Sequence, residues 1–117
     1  MTDAGIDWED ALSNGSHIAG AESYPERWAA RAAAFRERVP GRLDIAYGAH
    51  PRERLDLFEP EGPPRGLAVF IHGGYWLRFD KSSWSDLAEG ALALGWAVAL
   101  PSYVLAPEAR IPDITGQ

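Results

Sequence analysis

The sequence of 117 residues contains no cysteine, which excludes disulfide bonds and thiolate metal sites. Its three histidines lack the spacing of metal ligands beside a carboxylate, so no metal site is expected. Basic residues are too few to balance the acidic ones, and the formal net charge of −6 argues against nucleic acid or an anionic membrane as a partner. No apolar stretch approaches the ~20 residues that span a bilayer.

The amino-terminal stretch lacks both a hydrophobic segment and a regular period. Residues 1–22 carry several carboxylates and scattered glycines, a composition unlike that of a signal peptide. We therefore expect an irregular arm over residues 1–22 and a cytoplasmic protein, with one small domain over residues 23–117.

The first part of that domain predicts a helix and then a hairpin. Ser23 is a candidate N-cap, Pro25 suits the first helical turn, and an apolar stripe continues to about Arg38. Residues 42–47 and 54–57 alternate apolar and polar side chains, which predicts two antiparallel strands near an edge of the sheet.

The centre of the sequence is the unbroken apolar run Leu67–Ile71. A short run of this kind is typical of a strand buried on both faces. A helix is predicted from Ser82 or Ser83 to about Leu94, and a second apolar strand follows at Trp96–Leu100. Strand, helix and strand in this order predict a parallel βαβ unit, and residues 113–117 could open one further helix.

Two glycines end the central run. Gly73 and Gly74 have no Cβ, so they can take positive φ and bring backbone N–H groups close to a ligand. Donors placed in this way can stabilise an oxyanion. We expect the N–H groups of Gly74 and Tyr75 to be the donors, with Gly73 permitting the turn. The alternative is that the two glycines only allow a tight turn at the end of the strand and take no part in catalysis.

The residues around these glycines resemble a known family. The pattern H-G-G-x-W is that of the α/β-hydrolase superfamily, and more narrowly of kynurenine formamidases (arylformamidases) and their esterase relatives. It is formed by His72, Gly73, Gly74, Tyr75 and Trp76. The segment Ser102–Glu108 is also similar to that family, and the resemblance covers roughly Ser23–Gln117. It implies the amino-terminal half of an α/β-hydrolase fold: an amino-terminal helix, an antiparallel edge hairpin and a parallel βαβ unit.

The resemblance further implies acyl transfer through a serine nucleophile, without a cofactor, on an aryl formamide or a small carboxylic ester. In this family the serine lies in a G-x-S-x-G elbow, and the catalytic acid and histidine follow it. No serine of this sequence lies in such an elbow. We therefore expect a truncated domain with no catalytic residue of its own, inactive alone. The alternative is a non-catalytic remnant or an interaction module that self-associates through the exposed sheet edge at Leu67–Ile71.

Several residues of the motif have two interpretations. Because the family's catalytic histidine lies further downstream, His72 is expected to be a structural residue that hydrogen-bonds the loop. Tyr75 and Trp76 either line a substrate pocket or pack under the loop; packing is favoured for Trp76, and neither is favoured for Tyr75. Glu108 is expected to accept hydrogen bonds from the backbone or from Arg110.

Overall fold

The computed structural model describes residues 5–117, so the first four residues of the predicted arm lie outside the described residues. The strands are β1 (Gly41–Ala46), β2 (Arg54–Phe58), β3 (Leu67–Val69) and β4 (Ala97–Pro101). They form a four-stranded sheet in the order β1-β2-β4-β3. The helices are α1 (Trp8–Leu12), α2 (Tyr24–Arg38), α3 (Glu89–Ala93) and α4 (Ile111–Thr115).

The strand pairing confirms the predicted α/β fold. β1 and β2 pair antiparallel, as expected of the edge hairpin, and β2 also pairs antiparallel with β4. β3 and β4 run parallel, with Ala68 opposite Val98, as the βαβ pattern predicted. Among the described residues 5–117, β3 pairs with β4 alone, so it lies at an edge of the sheet.

The core lies between one face of the sheet and the helical layer. Phe35 of α2 meets Phe58 of β2 edge to face, with ring centroids 5.2 Å apart. Val98 and Leu100 of β4 complete this cluster, because alternate residues of a strand point to the same face. The apolar stripe of α2 is therefore its buried side, as its sequence period predicts.

Two predictions about helices are wrong: one concerns a cap and the other the continuity of a helix. The hydroxyl of Ser23 does not cap α2 but donates to the carbonyl of Gly20. The predicted helix from residue 82 or 83 to 94 is divided into two 3₁₀ turns, Lys81–Ser83 and Ser85–Ala88, followed by the short α3. The interruption falls at Trp84, whose φ of −129° is not helical. Its ring packs on Trp28 and Phe79, so tertiary contacts outweigh the local helix signal.

β3 differs from its prediction in length and in burial. Only Leu67–Val69 are paired as strand, and the residues of one face are largely exposed: Leu67 56%, Val69 56% and Ile71 68%. Ala68 and Phe70, on the other face, pack against the core. The expectation of burial on both faces is therefore wrong for the described residues, because the helical layer covers one face only.

The arm is more regular than expected. Within residues 5–22 it contains α1 and a 3₁₀ turn at Asn14–His17, and another turn at Ala21–Ser23 leads into α2. Asp7 caps α1, because its side chain accepts from the N–H groups of Glu9 and Asp10. No helix of residues 5–117 has the length and the apolar character needed to cross a membrane. The cytoplasmic location stays a prediction.

A buried ion pair connects the edge hairpin to the segment after β3. The ammonium group of Lys81 lies 2.7 Å from carboxylate oxygens of both Asp56 and Asp44. Asp56 is 1% exposed and also accepts from the N–H of Asp44. Burial lowers the pKa of Lys81, but its hydrogen bonds to Asp44 and Asp56 outweigh this and hold the pKa above its usual range. This ion pair therefore fixes the start of the helical layer against β2.

Replacing Lys81 with methionine tests this connection. Lys81→Met leaves the Asp56 carboxylate buried without its main cation, so we expect the free energy of unfolding to fall by about 3 kcal/mol. Urea unfolding followed by circular dichroism measures this loss. The control is Arg42→Ala, which removes the exposed pair with Glu59 and should change stability by less than about 1 kcal/mol. Equal effects of the two substitutions would contradict the structural importance of the Lys81 pair.

Candidate functional site

The loop after β3 has an unusual backbone conformation. Gly74, Tyr75 and Trp76 all have positive φ, at 125°, 60° and 59°. For Tyr75 and Trp76 this conformation costs of order 1–3 kcal/mol each, and such strain is concentrated at functional sites. No residue with a side chain fits at position 74 without a shift of the backbone, because a Cβ there would lie 2.3 Å from the carbonyl oxygen of Arg78.

Gly73 was expected to permit the turn through a positive φ, but its φ is not positive. That residue lies outside the left-handed region, and a Cβ built on it meets no atom within 4 Å. The sharp turn therefore depends on Gly74 and the two aromatic residues after it. The carbonyl of Gly74 closes the turn by accepting from the N–H groups of Leu77 and Arg78, each at 3.1 Å.

The N–H groups of this loop are not used within the described chain. Among residues 5–117, no backbone or side-chain acceptor pairs with the N–H of Gly73, Gly74, Tyr75 or Trp76. Residues of the same loop line a cavity of about 430 Å³ together with Tyr103. Unpaired N–H groups beside a cavity are available to an anion such as an oxyanion, although Gly74 itself does not line this cavity.

His72 is buried at the start of the loop. Its side chain is 3% exposed, and Nδ1 lies 2.7 Å from the carbonyl oxygen of Gly73. Because a carbonyl can only accept, Nδ1 carries the proton and Nε2 is the bare nitrogen. Burial lowers the pKa of His72 below its usual range, although the hydrogen bond to Gly73 acts in the opposite direction. The ring is therefore neutral and hydrogen-bonds the loop, as expected of a structural histidine.

Tyr103 holds the loop from the neighbouring segment after β4. Its hydroxyl donates to the carbonyl of His72 at 2.6 Å, and the two rings stack with centroids 4.5 Å apart. The N–H of Ala106 donates to the carbonyl of Trp76 at 2.8 Å. β3 and β4 are parallel neighbours, so the segments that follow them lie side by side and can form these bonds.

Arg52 is a contributor to the site that the sequence did not indicate. From the predicted hairpin link, its guanidinium donates to the carbonyls of Tyr103 at 2.7 Å and of Phe79 at 2.6 Å. It therefore joins the two segments that flank the loop. Nothing in the local sequence distinguishes Arg52 from the other surface arginines, since both of its partners are distant backbone carbonyls.

The two aromatic residues of the motif lie at the surface. Tyr75 is 72% exposed and Trp76 is 47% exposed, and both line the 430 Å³ cavity. The expectation that Trp76 packs under the loop is therefore wrong. Trp76 also lines a second, mostly apolar cavity of about 610 Å³ next to Val69 and Ile71.

The described residues bring together no nucleophile, base and acid. Ser102 is 4% exposed and accepts from the backbone N–H of Lys81. Glu108 accepts from Nε2 of His50 at 2.9 Å rather than from Arg110, so that part of the expectation is wrong. No group of three or more potential metal ligands occurs within residues 5–117.

Comparison with known proteins finds partial similarity to carboxylic ester and formamide hydrolases. No family model matches the chain. A probable isoprenylcysteine α-carbonyl methylesterase of Oryza sativa subsp. japonica is 36% identical over 73 residues, which are 60% of this chain and 17% of that protein. A kynurenine formamidase of Drosophila melanogaster is 31% identical over 75 residues, which are 62% of this chain and 25% of that protein.

Solved structures extend the similarity over most of the chain. The crystal structure of a proposed thioesterase from Silicibacter sp. TM1040 has a TM-score of 0.90 and 57% identity, and the match covers 95% of this chain and 43% of that one. Esterase B from Lactobacillus rhamnosis, with an inhibitor bound, has a TM-score of 0.64 at 23% identity, which supports the fold alone. The chain thus spans less than half the length of each of these relatives. Together with the α/β fold, these similarities show that the chain is related to the α/β-hydrolases of the kynurenine formamidase and esterase type.

Proposed function

We propose that this chain supplies the oxyanion-binding loop of a serine hydrolase that acts on an aryl formamide or a small carboxylic ester. The observation that carries the proposal is the set of unpaired N–H groups at Gly73–Trp76, in a strained turn beside a cavity. A tetrahedral intermediate carries a developing negative charge on oxygen, and fixed backbone donors lower its energy without reorganisation. The names of the relatives support the same class of reaction.

In this proposal the N–H groups of Gly74 and Tyr75 donate to the oxyanion, and Tyr75 and Trp76 form part of the substrate pocket. Residues 23–117 are then the amino-terminal part of a hydrolase domain. The nucleophile and its histidine and acid come from polypeptide outside these 117 residues, because no G-x-S-x-G serine occurs within them. His72 keeps the loop in shape and does not exchange protons with the substrate.

A covalently joined protein tests the proposed reaction. The chain is fused to the part of the Silicibacter protein that it does not cover, which in this proposal supplies the catalytic serine. We expect that the 117-residue chain alone does not raise the rate of hydrolysis of p-nitrophenyl acetate or N-formylkynurenine above the rate in buffer. The fusion is expected to hydrolyse one of the two. A folded fusion with a Gly-x-Ser-x-Gly serine that turns over neither substrate would argue against the proposal.

Substituting Gly74 in the same fusion tests the loop. Because a Cβ at this position meets the Arg78 carbonyl, Gly74→Ala shifts the turn and misplaces the donors. We expect kcat to fall by about 100-fold, the loss typical of one oxyanion donor.

Gly90→Ala is the matched control for this substitution. Gly90 lies in α3, where a Cβ meets no atom within 4 Å, so the same chemical change should leave kcat unaltered. If Gly74→Ala retains the full kcat of the fusion, the turn at Gly74 does not position the donors.

The neutrality of His72 predicts a pH dependence of stability. Its pKa in the folded chain lies below the ordinary value of 6.5, so the unfolded chain takes up a proton first as the pH falls. Unfolding measured between pH 8 and pH 5 should therefore show stability decreasing as the pH falls through about 6.5. His72→Asn keeps an N–H donor toward Gly73 and should reduce this decrease. A decrease of the same size in both chains would contradict a depressed pKa at His72.

A further inference from the structure

A cavity of about 720 Å³ lies between the amino-terminal arm and the rest of the domain. Its walls come from the arm, from the first turns of α2 and from the segment that follows the loop, and most of its lining is apolar. A volume of this size is typical of sites for small molecules. We call it the arm cavity and define it by Ile18, Glu22, Tyr24, Trp28, Arg78 and Phe79.

Three aromatic rings form one wall of the arm cavity. The ring of Trp28 lies between those of Tyr24 and Phe79, with its centroid 5.9 Å from each. Trp28 also packs against Trp84 at 5.0 Å, so its position is fixed by the helical layer. Rings that are already held in place can bind a further aromatic ring with little loss of conformational entropy. The wall is therefore suited to an aromatic ligand.

Positive charge flanks this wall. The guanidinium of Arg78 lies over the ring of Phe79 at 5.5 Å, and that of Arg27 lies over the ring of Tyr24 at 5.0 Å. Three other arginines form ion pairs with carboxylates within residues 5–117, whereas these two form none there. Glu22 is the one carboxylate among the described lining residues. Two guanidinium groups against one carboxylate favour a ligand with an anionic group, bound toward Arg78.

The arm cavity lies next to the loop with the unpaired N–H groups. The N–H of Arg78 donates to the carbonyl of Gly74 at 3.1 Å. The ring of Phe79 packs against the same glycine, since a Cβ there would lie 2.9 Å from Cδ2 of Phe79. Gly73 and Tyr75, on either side of Gly74, line the 430 Å³ cavity. The two cavities are therefore neighbours, connected by the turn at Gly74.

We propose that the arm cavity binds an aromatic ring that carries a carboxylate. Trp28 and Phe79 contact the ring, and the guanidinium of Arg78 donates to the carboxylate. In the proposed reaction this ligand is the part of the substrate that does not react, so Arg78 makes the site prefer an aryl formamide with a carboxylate on its ring. That assignment rests on the proposed function, whereas the binding itself does not.

Titration of the 117-residue chain with two small molecules tests the binding. Anthranilate has the ring and the anionic group, and methyl anthranilate has the same ring without the charge. Binding is measured by ¹H–¹⁵N NMR, from the indole resonance of Trp28 and the amide resonances of the arm, and the titration is repeated on the fusion. We expect shifts around the arm cavity and an affinity for anthranilate about fivefold higher than for its ester.

Two arginines provide a matched pair of substitutions. Arg78→Gln should raise the Kd of anthranilate by about fivefold and leave that of the ester unchanged, because the ester has no charge to pair. Arg65→Gln is the control: its guanidinium also lies over an aromatic ring, that of Trp96 at 5.9 Å, but it does not line the arm cavity. Circular dichroism of each variant verifies that its fold is kept.

Glu22→Gln tests the sign of the ligand's charge. Because it removes a like charge from the cavity, the affinity for anthranilate should stay the same or rise. A weaker affinity in this variant would overturn the assignment of an anionic ligand.

The fusion tests the connection with the reaction. Its preference for N-formylanthranilate over formanilide, expressed as the ratio of the two kcat/KM values, should fall by about fivefold in Arg78→Gln. A preference that this substitution does not alter would overturn the assignment of the ligand as part of the substrate.

The outcomes separate this proposal from the proposed function. Absence of binding, shifts confined to other parts of the chain, or equal affinity for the two molecules would overturn the arm cavity as a site for an aryl carboxylate, whatever the fusion hydrolyses. Binding of anthranilate that Arg78→Gln weakens, together with a folded fusion that hydrolyses neither formamide, supports the binding site and counts against the hydrolase reaction.

Discussion

The parallel pairing of β3 with β4 is the constraint on which the site depends. Because both strands end at the same edge of the sheet, the loop at His72 and the segment at Tyr103 leave side by side. The Tyr103 hydroxyl then reaches the His72 carbonyl, and the stacked rings fix the exit of the loop. The strained residues Tyr75 and Trp76 follow directly, so the position of their N–H groups depends on this anchored exit.

The loop is held from a second side by charged residues of the edge hairpin. Arg52 bonds the carbonyls of Phe79 and Tyr103, and Lys81 is neutralised by Asp44 and by the buried Asp56. Both cations connect the hairpin of β1 and β2 to the segments around the loop, although β4 lies between β2 and β3 in the sheet. Charged groups of this kind are costly to bury. Here Arg52 fixes loop backbone through two carbonyls, whereas Lys81 is held by two carboxylates of the hairpin. The hairpin thus acts as a support for the site.

One face of the sheet is buried and the other is exposed, and this difference bears on the proposed function. The helical layer buries Phe35, Phe58 and Leu100 on one face, whereas the other face leaves Val69 and Ile71 exposed. The same region holds the unpaired acceptor of His72 and the unused N–H groups of the loop. Within residues 5–117 the exposed apolar side chains and the N–H groups of the loop lie at one place without partners, as the proposed function requires of the surface that meets the rest of a hydrolase domain.

The sequence by itself determined the α/β class, the antiparallel hairpin, the parallel β3–β4 pair and the α/β-hydrolase relationship, because these follow from the period of the apolar residues and from the contiguous motif at His72–Trp76. It could not determine the division of the helix after Ser82, which depends on Trp84 packing against Trp28. Nor could it determine the roles of Arg52 and Tyr103 or the exposure of one face of β3. Those features depend on contacts between residues far apart in the chain, for which a local pattern carries no signal.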